Sequence, residues 1–195
     1  MDSSRPDSDA QEFARDLGAI IGELRDRLVV IGGIAYNFWR EPRYTKDIDF
    51  NVVADPDVIA EIRRRLTAAG YEVTREQAPD ARSGPDFLRF VLPGTRRIVE
   101  FQTAKTEYQA LTIERGVTLD AEQPFPVATP EDMIILKLLA NRSKDHSDLV
   151  ALAMMDGLDW EYITHWAGIW DLTDALATLH TRVADERARI AEIYR

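Results

Sequence analysis

Residues 28–53 read LVVIGGIAYNFWREPRYTKDIDFNVV, and this stretch decides the fold. A short apolar run ends at the pair Gly32-Gly33, which lets the backbone turn tightly from a strand into a helix. Thirteen residues separate Gly33 from Asp47, and there Asp47 and Asp49 alternate with apolar side chains. Because successive side chains of a strand point to opposite faces, the two aspartates share one face of a second strand. The stretch therefore predicts two neighbouring strands and a short helix that converge on one place.

Outward from this stretch, helices and strands alternate up to about residue 128. Apolar spacing and turn residues predict helices over 9–27, 34–39 and 56–70, and strands over 28–31, 47–53, 71–74, 87–92 and 97–103. The last two strands are joined by Pro93-Gly94-Thr95, which indicates a hairpin. Residues 104–124 fit either a short helix or a further strand.

The remainder of the chain is predicted to be helical. Thr129-Pro130-Glu131-Asp132 combines a capping residue, a proline at the first helical position and acids in the first turn, which is typical of a helix start. Breaks are expected near residues 141–143, Gly157 and Gly168. We therefore predict an α+β fold: a first lobe over 9–128 with a small mixed sheet and flanking helices, then a helical lobe over 129–195 packed on it.

Composition limits the classes of protein that this chain can be. The 195 residues suffice for one core, or for a main lobe with a small second one. The formal net charge is -10, which argues against a nonspecific nucleic-acid coat, since phosphate contacts need basic residues. The chain has no cysteine, so disulfides and thiolate metal sites are excluded. No apolar run is long enough for a membrane span or a signal peptide, and a cytoplasmic location is expected.

The two aspartates are candidate metal ligands. Hard divalent cations such as Mg²⁺ or Mn²⁺ prefer carboxylate oxygens and keep further positions for water or phosphate. Glu100 lies between apolar neighbours in a predicted strand, where an acid is costly to bury without a partner. It is therefore the best candidate for a third ligand beside Asp47 and Asp49. An isolated Asp-X-Asp also fits a polar strand face, and that alternative stays open.

The glycine pair is a candidate phosphate site. Gly32 and Gly33 allow backbone N–H groups to approach an anion where a strand leads into a helix N-terminus. Arg43 and Lys46 precede the aspartates and could clamp a triphosphate. A tight turn explains the glycines equally well, and ordinary surface charge explains the two cations.

These motifs together resemble the nucleotidyltransferase superfamily typified by DNA polymerase beta. That pattern is an apolar residue and Gly-Gly, a spacer, Asp-apolar-Asp, and a later strand acid. The C-terminal half is similar to AbiEii-type toxin nucleotidyltransferases, which have a helix lysine, an arginine and a Lys/Arg-Asp-X-X-Asp-Leu signature. The matching residues here are Lys137, Arg142, Lys144, Asp145, Asp148 and Leu149. The resemblance covers roughly residues 28–152, although many relatives have serine where this chain has Gly33.

The resemblance implies roles for these residues. Asp47 and Asp49 would bind magnesium, and Lys137 would contact the phosphates of a nucleoside triphosphate. Asp148 or Asp145 would orient Lys137 or the acceptor. Considered from the residues alone, Lys137 lies among apolar helix positions and needs a carboxylate or phosphate partner. A salt bridge that joins two helices is the alternative reading of Lys137 and Asp148.

The resulting hypothesis is a magnesium-dependent enzyme that moves a nucleoside monophosphate from a nucleoside triphosphate to an acceptor hydroxyl and releases pyrophosphate. Resemblance favours a toxin of a toxin–antitoxin pair, with a tRNA 3′ end as acceptor and a cognate antitoxin as partner. The alternatives are a small-molecule nucleotidyltransferase of the antibiotic-modifying kind and a non-catalytic, nucleotide-binding or regulatory member of the fold.

Overall fold

The computed structural model describes residues 6–41, 43, 45–77, 85–118 and 123–194. The chain divides into two compact units, Met1–Thr129 and Pro130–Arg195. The helices of the first unit are α1 (Pro6–Ile21), α2 (Gly32–Trp39), α3 (Pro56–Ala68) and α4 (Glu107–Glu114). Its strands are β1 (Leu28–Ile31), β2 (Asp47–Val53), β3 (Glu72–Gln77), β4 (Phe87–Val91) and β5 (Ile98–Ala104). The second unit contains α5 (Pro130–Ala140), α6 (His146–Ala153), α7 (Trp160–Ile169) and α8 (Thr173–Ile193).

The strands form one mixed sheet. Over the described residues it has five strands in the order β1-β2-β5-β4-β3. Only β2 and β5 run parallel to each other, whereas the other neighbours are antiparallel. The predicted hairpin is confirmed, because β4 and β5 pair from Val91 opposite Ile98 onward. A helical unit follows the sheet, so the predicted α+β class is confirmed.

The two faces of the central strand β2 have different environments. Ile48, Phe50 and Val52 are buried, and the Phe50 ring stacks on Phe101 of β5 with centroids 5.3 Å apart. The other face carries Asp47 and Asp49, both partly exposed. Burial of the apolar face fixes the strand register, because a shift by one residue would turn the aspartates into the core.

Helix α4 covers the far end of the aspartate face. Asn51 is fully buried there, and its Nδ2 donates to Thr112 Oγ1 of α4 at 2.8 Å. Thr106 and Gln109 form a capping box that starts this helix. The ambiguous residues 104–124 thus contain α4, and Val117 then pairs with Val127 in an isolated bridge. The near end of the same face, at Asp47 and Asp49, stays accessible.

The predicted end of the first helix is wrong. The helix predicted over 9–27 ends at Ile21, and residues Gly22–Arg27 form a 3-10 helix that leads into β1. Gly22 is a poor helix former, and the tighter 3-10 turn is common at helix ends. The break predicted near Gly168 is confirmed, because α7 ends at Ile169 and the chain turns at Asp171, whose φ is 56°.

The second unit begins with the predicted helix start. Pro130 is the first residue of α5, and Glu131 and Asp132 lie in its first turn. Asn141 (φ 45°) and Gly157 (φ 78°) lie in the left-handed region and end successive helical stretches. Among the helices in the described part of the chain, none is long and apolar enough to cross a membrane.

Candidate metal and nucleotide site

Three carboxylates meet on the accessible face of the sheet. Asp47 and Asp49 lie on β2, and Glu100 lies on the parallel neighbour β5, directly opposite Asp49. One carboxylate oxygen from each residue lies within 4.8 Å of the others. Like charges at this distance repel, so the cluster favours a bound cation.

The donor set suits a small, hard divalent ion. Mg²⁺ binds oxygen ligands at about 2.0–2.1 Å, so two oxygens on opposite sides of the ion lie about 4.2 Å apart. Oxygens of Asp47, Asp49 and Glu100 within 4.8 Å of one another need only small side-chain movements to reach this spacing. All three residues are partly exposed, which leaves room for water or phosphate ligands.

Two neighbouring side chains hold the carboxylates in place. Thr45 Oγ1 donates to Asp47 Oδ1 at 3.0 Å. Arg89 lies opposite Glu100 in the β4–β5 pairing, and its Nε donates to Glu100 Oε1 at 2.5 Å. Hydrogen bonds from neighbouring side chains of this kind orient metal ligands. Sequence reasoning missed both residues, although the predicted hairpin and its alternation could have suggested Arg89.

The glycine pair lies beside this cluster. Ile31, the last residue of β1, is opposite Asp49, so Gly32 follows at the level of the carboxylates. Gly32 has a φ of 70°, and a Cβ there would overlap the Oδ2 of Asp49. A Cβ on Gly33 would lie 2.7 Å from Thr45 Oγ1. Both glycines therefore permit a close approach of the backbone to the acidic cluster.

Helix α2 starts at Gly32 with Ile31 at the N-cap position, and isoleucine cannot cap the first N–H groups. A helix N-terminus of this kind favours an anion. The predicted cations lie just before β2 on exposed positions. The Arg43 guanidinium is 5.3 Å from the centroid of the Tyr36 ring, and its backbone N–H donates to Asn37 Oδ1 at 3.0 Å. Lys46 is exposed.

The second unit contains a buried ion cluster. Lys137 of α5 is 3% exposed, and its Nζ donates to Asp145 Oδ1 at 3.0 Å and to Asp148 Oδ2 at 2.7 Å. Arg142 Nε donates to the other oxygen of Asp145 at 2.6 Å. Burial acts to raise the pKa of Asp145, but the hydrogen bonds from Arg142 and Lys137 outweigh it and lower that pKa. By formal charge, the two cations Lys137 and Arg142 balance the two aspartates of this cluster.

The predicted site residues thus form two groups, one in each unit. The first group contains Gly32, Gly33, Arg43, Lys46, Asp47, Asp49 and Glu100. The second contains Lys137 and Asp148, together with Asp145 and Arg142. A salt bridge between α5 and α6 was the alternative reading of Lys137, and the bridge is present. Whether Lys137 also contacts phosphate stays a prediction.

Three clustered carboxylates thus lie beside a glycine turn, on a mixed sheet that helices follow. A sequence profile of one family matches residues 15–185 of the chain. The protein belongs to that family, the nucleotidyl transferase AbiEii toxins of type IV toxin–antitoxin systems. No curated protein matches the sequence significantly.

A solved structure shows the same fold at low sequence identity, and two further structures match with lower TM-scores. The chain is similar to the solution structure of the antibiotic-resistance factor ANT(2″)-Ia, with 13% identity, a TM-score of 0.55 and coverage of 93% of this chain and 99% of that one. A crystal structure of ANT(2″)-Ia with adenylyl-2″-tobramycin has 15% identity, a TM-score of 0.49 and coverage of 86% and 97%. The Megavirus polyadenylate synthase has 16% identity, a TM-score of 0.49 and coverage of 77% and 31%.

Proposed function

We propose that this nucleotidyltransferase is magnesium-dependent and transfers a nucleoside monophosphate from a nucleoside triphosphate to an acceptor hydroxyl, with a tRNA 3′ end as the acceptor. The observation that carries the proposal is the cluster of Asp47, Asp49 and Glu100 within 4.8 Å, next to the Gly32-Gly33 turn. Metal ligands and a phosphate-binding turn are the two parts that nucleotidyl transfer needs in one place.

The carboxylates would hold one or two Mg²⁺ ions. A bound ion offsets the negative charge of the triphosphate, and Mn²⁺ could replace it because the donors are all oxygens. Asp47 and Asp49 are the primary ligands in this proposal, with Glu100 completing the set. Thr45 and Arg89 keep Asp47 and Glu100 oriented through the hydrogen bonds described above.

The first-turn N–H groups at Gly32 and Gly33 would bind triphosphate oxygens, with Arg43 and Lys46 as cationic partners. The acceptor oxygen attacks the α-phosphorus and forms a new P–O bond, while the bond to the β-phosphate oxygen breaks. Pyrophosphate leaves with that oxygen, and the hydroxyl proton passes to Glu100 or to water. No covalent enzyme intermediate is required.

The helical residues have a supporting role in this proposal. Lys137 would contact the nucleotide phosphates, and Asp148 and Asp145 would orient its ammonium group. The resemblance to toxin nucleotidyltransferases motivates this role, and the buried ion cluster provides the orienting carboxylates. Residues 9–128 would form the catalytic lobe and residues 129–195 the helical lobe. Membership of a toxin–antitoxin family further suggests a cognate antitoxin.

Label transfer tests the proposal directly. The protein is incubated with each α-labelled nucleoside triphosphate, Mg²⁺ and either total RNA or a lysate. We expect label in the tRNA fraction, and none with Asp47→Ala/Asp49→Ala. Label only in small molecules would instead identify an antibiotic-type transferase. Equal labelling by the double variant would exclude the carboxylate site.

Thermal melting tests whether the protein binds Mg²⁺ and a nucleoside triphosphate, which a relative without functional metal-binding and phosphate-binding residues would not do. A ligand that binds only the folded state raises the melting temperature. We expect Mg²⁺ with one nucleoside triphosphate to raise it, and Asp47→Ala/Asp49→Ala to abolish the rise. The absence of any rise at millimolar ligand would contradict nucleotide binding.

A further inference from the structure

A row of paired residues extends from the acidic cluster to the edge of the sheet. Asp49 lies opposite Glu100, Glu100 opposite Arg89, and Arg89 opposite Arg75 of β3. Directly paired residues place their side chains on the same face of a sheet. Two arginines therefore continue the line of the carboxylates across β4 and β3. At a strand spacing of about 4.8 Å, the row from Asp49 to Arg75 spans about 14 Å.

The two arginines differ in their partners. Arg89 pairs with Glu100 and belongs to the acidic cluster. Arg75 is exposed, and no ion pair to a carboxylate is found for it among the described residues. Its guanidinium lies 5.3 Å from the centroid of the Phe87 ring. Arg75 thus offers a positive charge that is not neutralised within the described chain, beside a partly exposed aromatic ring.

A second row runs parallel to the first on the same face, two residues further along the strands. Phe87 of β4 lies opposite Gln77 of β3 on one side and opposite Gln102 of β5 on the other. Both glutamines are exposed, and Phe87 is partly exposed. An aromatic ring flanked by amide groups can stack a base and donate or accept hydrogen bonds at its sides.

We propose that these two rows bind the acceptor strand, a single-stranded RNA whose terminal hydroxyl reaches the carboxylate cluster. The surface, which we term the acceptor platform, consists of Arg75, Gln77, Phe87 and Gln102. Arg75 binds a backbone phosphate, since guanidinium suits phosphate geometry. Phe87 stacks a base. The exposed amides hydrogen-bond 2′-hydroxyl groups, which favours RNA over DNA.

Charge complementarity supports an anionic acceptor over a cationic one. The chain has a formal net charge of -10, which by itself attracts cations and repels polyanions. Arg75 supplies a local positive charge at the far end of the row that starts at the carboxylate cluster. An aminoglycoside, with several ammonium groups, would meet an arginine on this side instead of a carboxylate. The inference rests on the proposed function, because the platform is useful only next to a working transfer site.

Anisotropy of a fluorescein-labelled RNA of about twelve nucleotides tests the platform with the full-length protein. We expect Arg75→Gln to weaken binding several-fold and to lower the slope of log affinity against log salt by about 0.7, as one lost phosphate contact should. Phe87→Leu, which keeps an apolar side chain but removes the stacking ring, should weaken binding about tenfold. The matched control is Arg187→Gln, since Arg187 is an exposed arginine on α8.

Each variant is also melted with Mg²⁺ and a nucleoside triphosphate, and the rise in melting temperature should equal that of the parent. If the parent itself shows no rise and no label transfer, the proposed function fails, and the platform that rests on it fails with it. If the parent transfers label but Arg75→Gln and Phe87→Leu bind RNA as Arg187→Gln does, the platform is wrong. Equal binding of DNA of the same sequence, or preferential labelling of tobramycin over RNA, would also overturn it.

Discussion

Asp49 and Glu100 lie directly opposite each other on the parallel strands β2 and β5. With Asp47 they bring three carboxylates within 4.8 Å, and Arg89 forms an ion pair with Glu100. Repulsion among the carboxylates lowers stability, and a bound cation would offset it. The same three carboxylates therefore lower the stability of the metal-free protein and provide the proposed metal ligands.

Asp49→Asn removes one of the three charges. We expect the metal-free protein to melt at a higher temperature than the parent, because like-charge repulsion falls. The rise in melting temperature caused by Mg²⁺ should be lost, and transfer activity should fall at least a hundredfold. Differential scanning fluorimetry with and without Mg²⁺, together with label transfer, measures both effects.

The control for this variant is Asp185→Asn, the same chemical change at an exposed position of α8. It should leave both the Mg²⁺ response and the activity at the level of the parent. A metal-free Asp49→Asn protein that is less stable than the parent, with an unchanged Mg²⁺ response, would contradict the metal site.

Gly32→Ala tests the close approach of the turn to Asp49. The alanine must adopt a φ of 70°, and its Cβ would overlap the carboxylate. Gly94→Ala is the matched control, because Gly94 has a φ of 76° and no atom within 4 Å of a Cβ. Backbone strain alone should cost Gly94→Ala about 1–2 kcal/mol and leave activity intact.

Gly32→Ala should cost more than Gly94→Ala in urea denaturation and should abolish transfer, because the carboxylate must move. The difference between the two variants measures the steric effect at Asp49. Retained activity in Gly32→Ala would show that the turn accommodates a Cβ beside Asp49, and it would contradict the expected steric overlap.

Lys137→Met tests how much the buried ion cluster contributes to the free energy of unfolding, and a variant of a more exposed ion pair is its control. Removal of the lysine leaves Asp145 and Asp148 buried at 1% and 2% exposure, and should cost about 3–5 kcal/mol of unfolding free energy. The control is Lys105→Met, which breaks the partly exposed pair with Asp86 and should cost about 0–1 kcal/mol.

Chemical denaturation measures both costs, and Lys137→Met/Asp148→Asn should recover part of the stability. If the variant lacking both charges regains stability but still transfers no label, Lys137 has the proposed role at phosphate. If it regains activity as well, the ion cluster is purely structural.

The lowered pKa of Asp145 predicts that the free energy of unfolding decreases as the pH falls. Its pKa is lowered in the folded protein: burial acts against ionisation, but hydrogen bonds from Arg142 and Lys137 outweigh it. The carboxylate therefore adds stability above its unfolded pKa of about 3.9, and this contribution is lost as the pH falls through the lower folded value.

The unfolding free energies of the parent and Asp145→Asn should thus differ most above about pH 4 and converge in stronger acid. Arg142→Gln removes one of the two cationic partners and raises the folded pKa of Asp145, so the acid-dependent loss of stability should be smaller and should be complete at a higher pH than in the parent. A difference between the parent and Asp145→Asn that stays constant from pH 7 to pH 3 would exclude this contribution.

Local patterns predicted much of the fold because their causes are local. The strand Asp47–Val53 follows from strict alternation, and the start of α5 follows from Thr129 and Pro130. The end of the first helix has a weaker local signal, and its predicted position at residue 27 was wrong, because α1 ends at Ile21 and a 3-10 helix follows from Gly22.

The residues that support the site were harder to predict than the site residues. Arg89 acts on Glu100 through pairing across a hairpin, and Thr45 acts on Asp47 from a segment without regular structure. The acceptor platform depends on the register of β3 against β4, which includes an irregularity between Val73 and Arg75. Sequence spacing does not reveal such an irregularity.

The sequence by itself determined which chemical groups are available: a glycine turn, two aspartates on one strand face, a strand acid and a helix lysine with aspartates. Alternation and helix-start signals depend on neighbours in the chain, so they can be recognised without a structure. Only the tertiary structure decided that Glu100 stands opposite Asp49 and that Gly32 lies against its carboxylate. Those contacts join residues far apart in the chain, and they depend on strand order and register, which burial of the whole sheet selects.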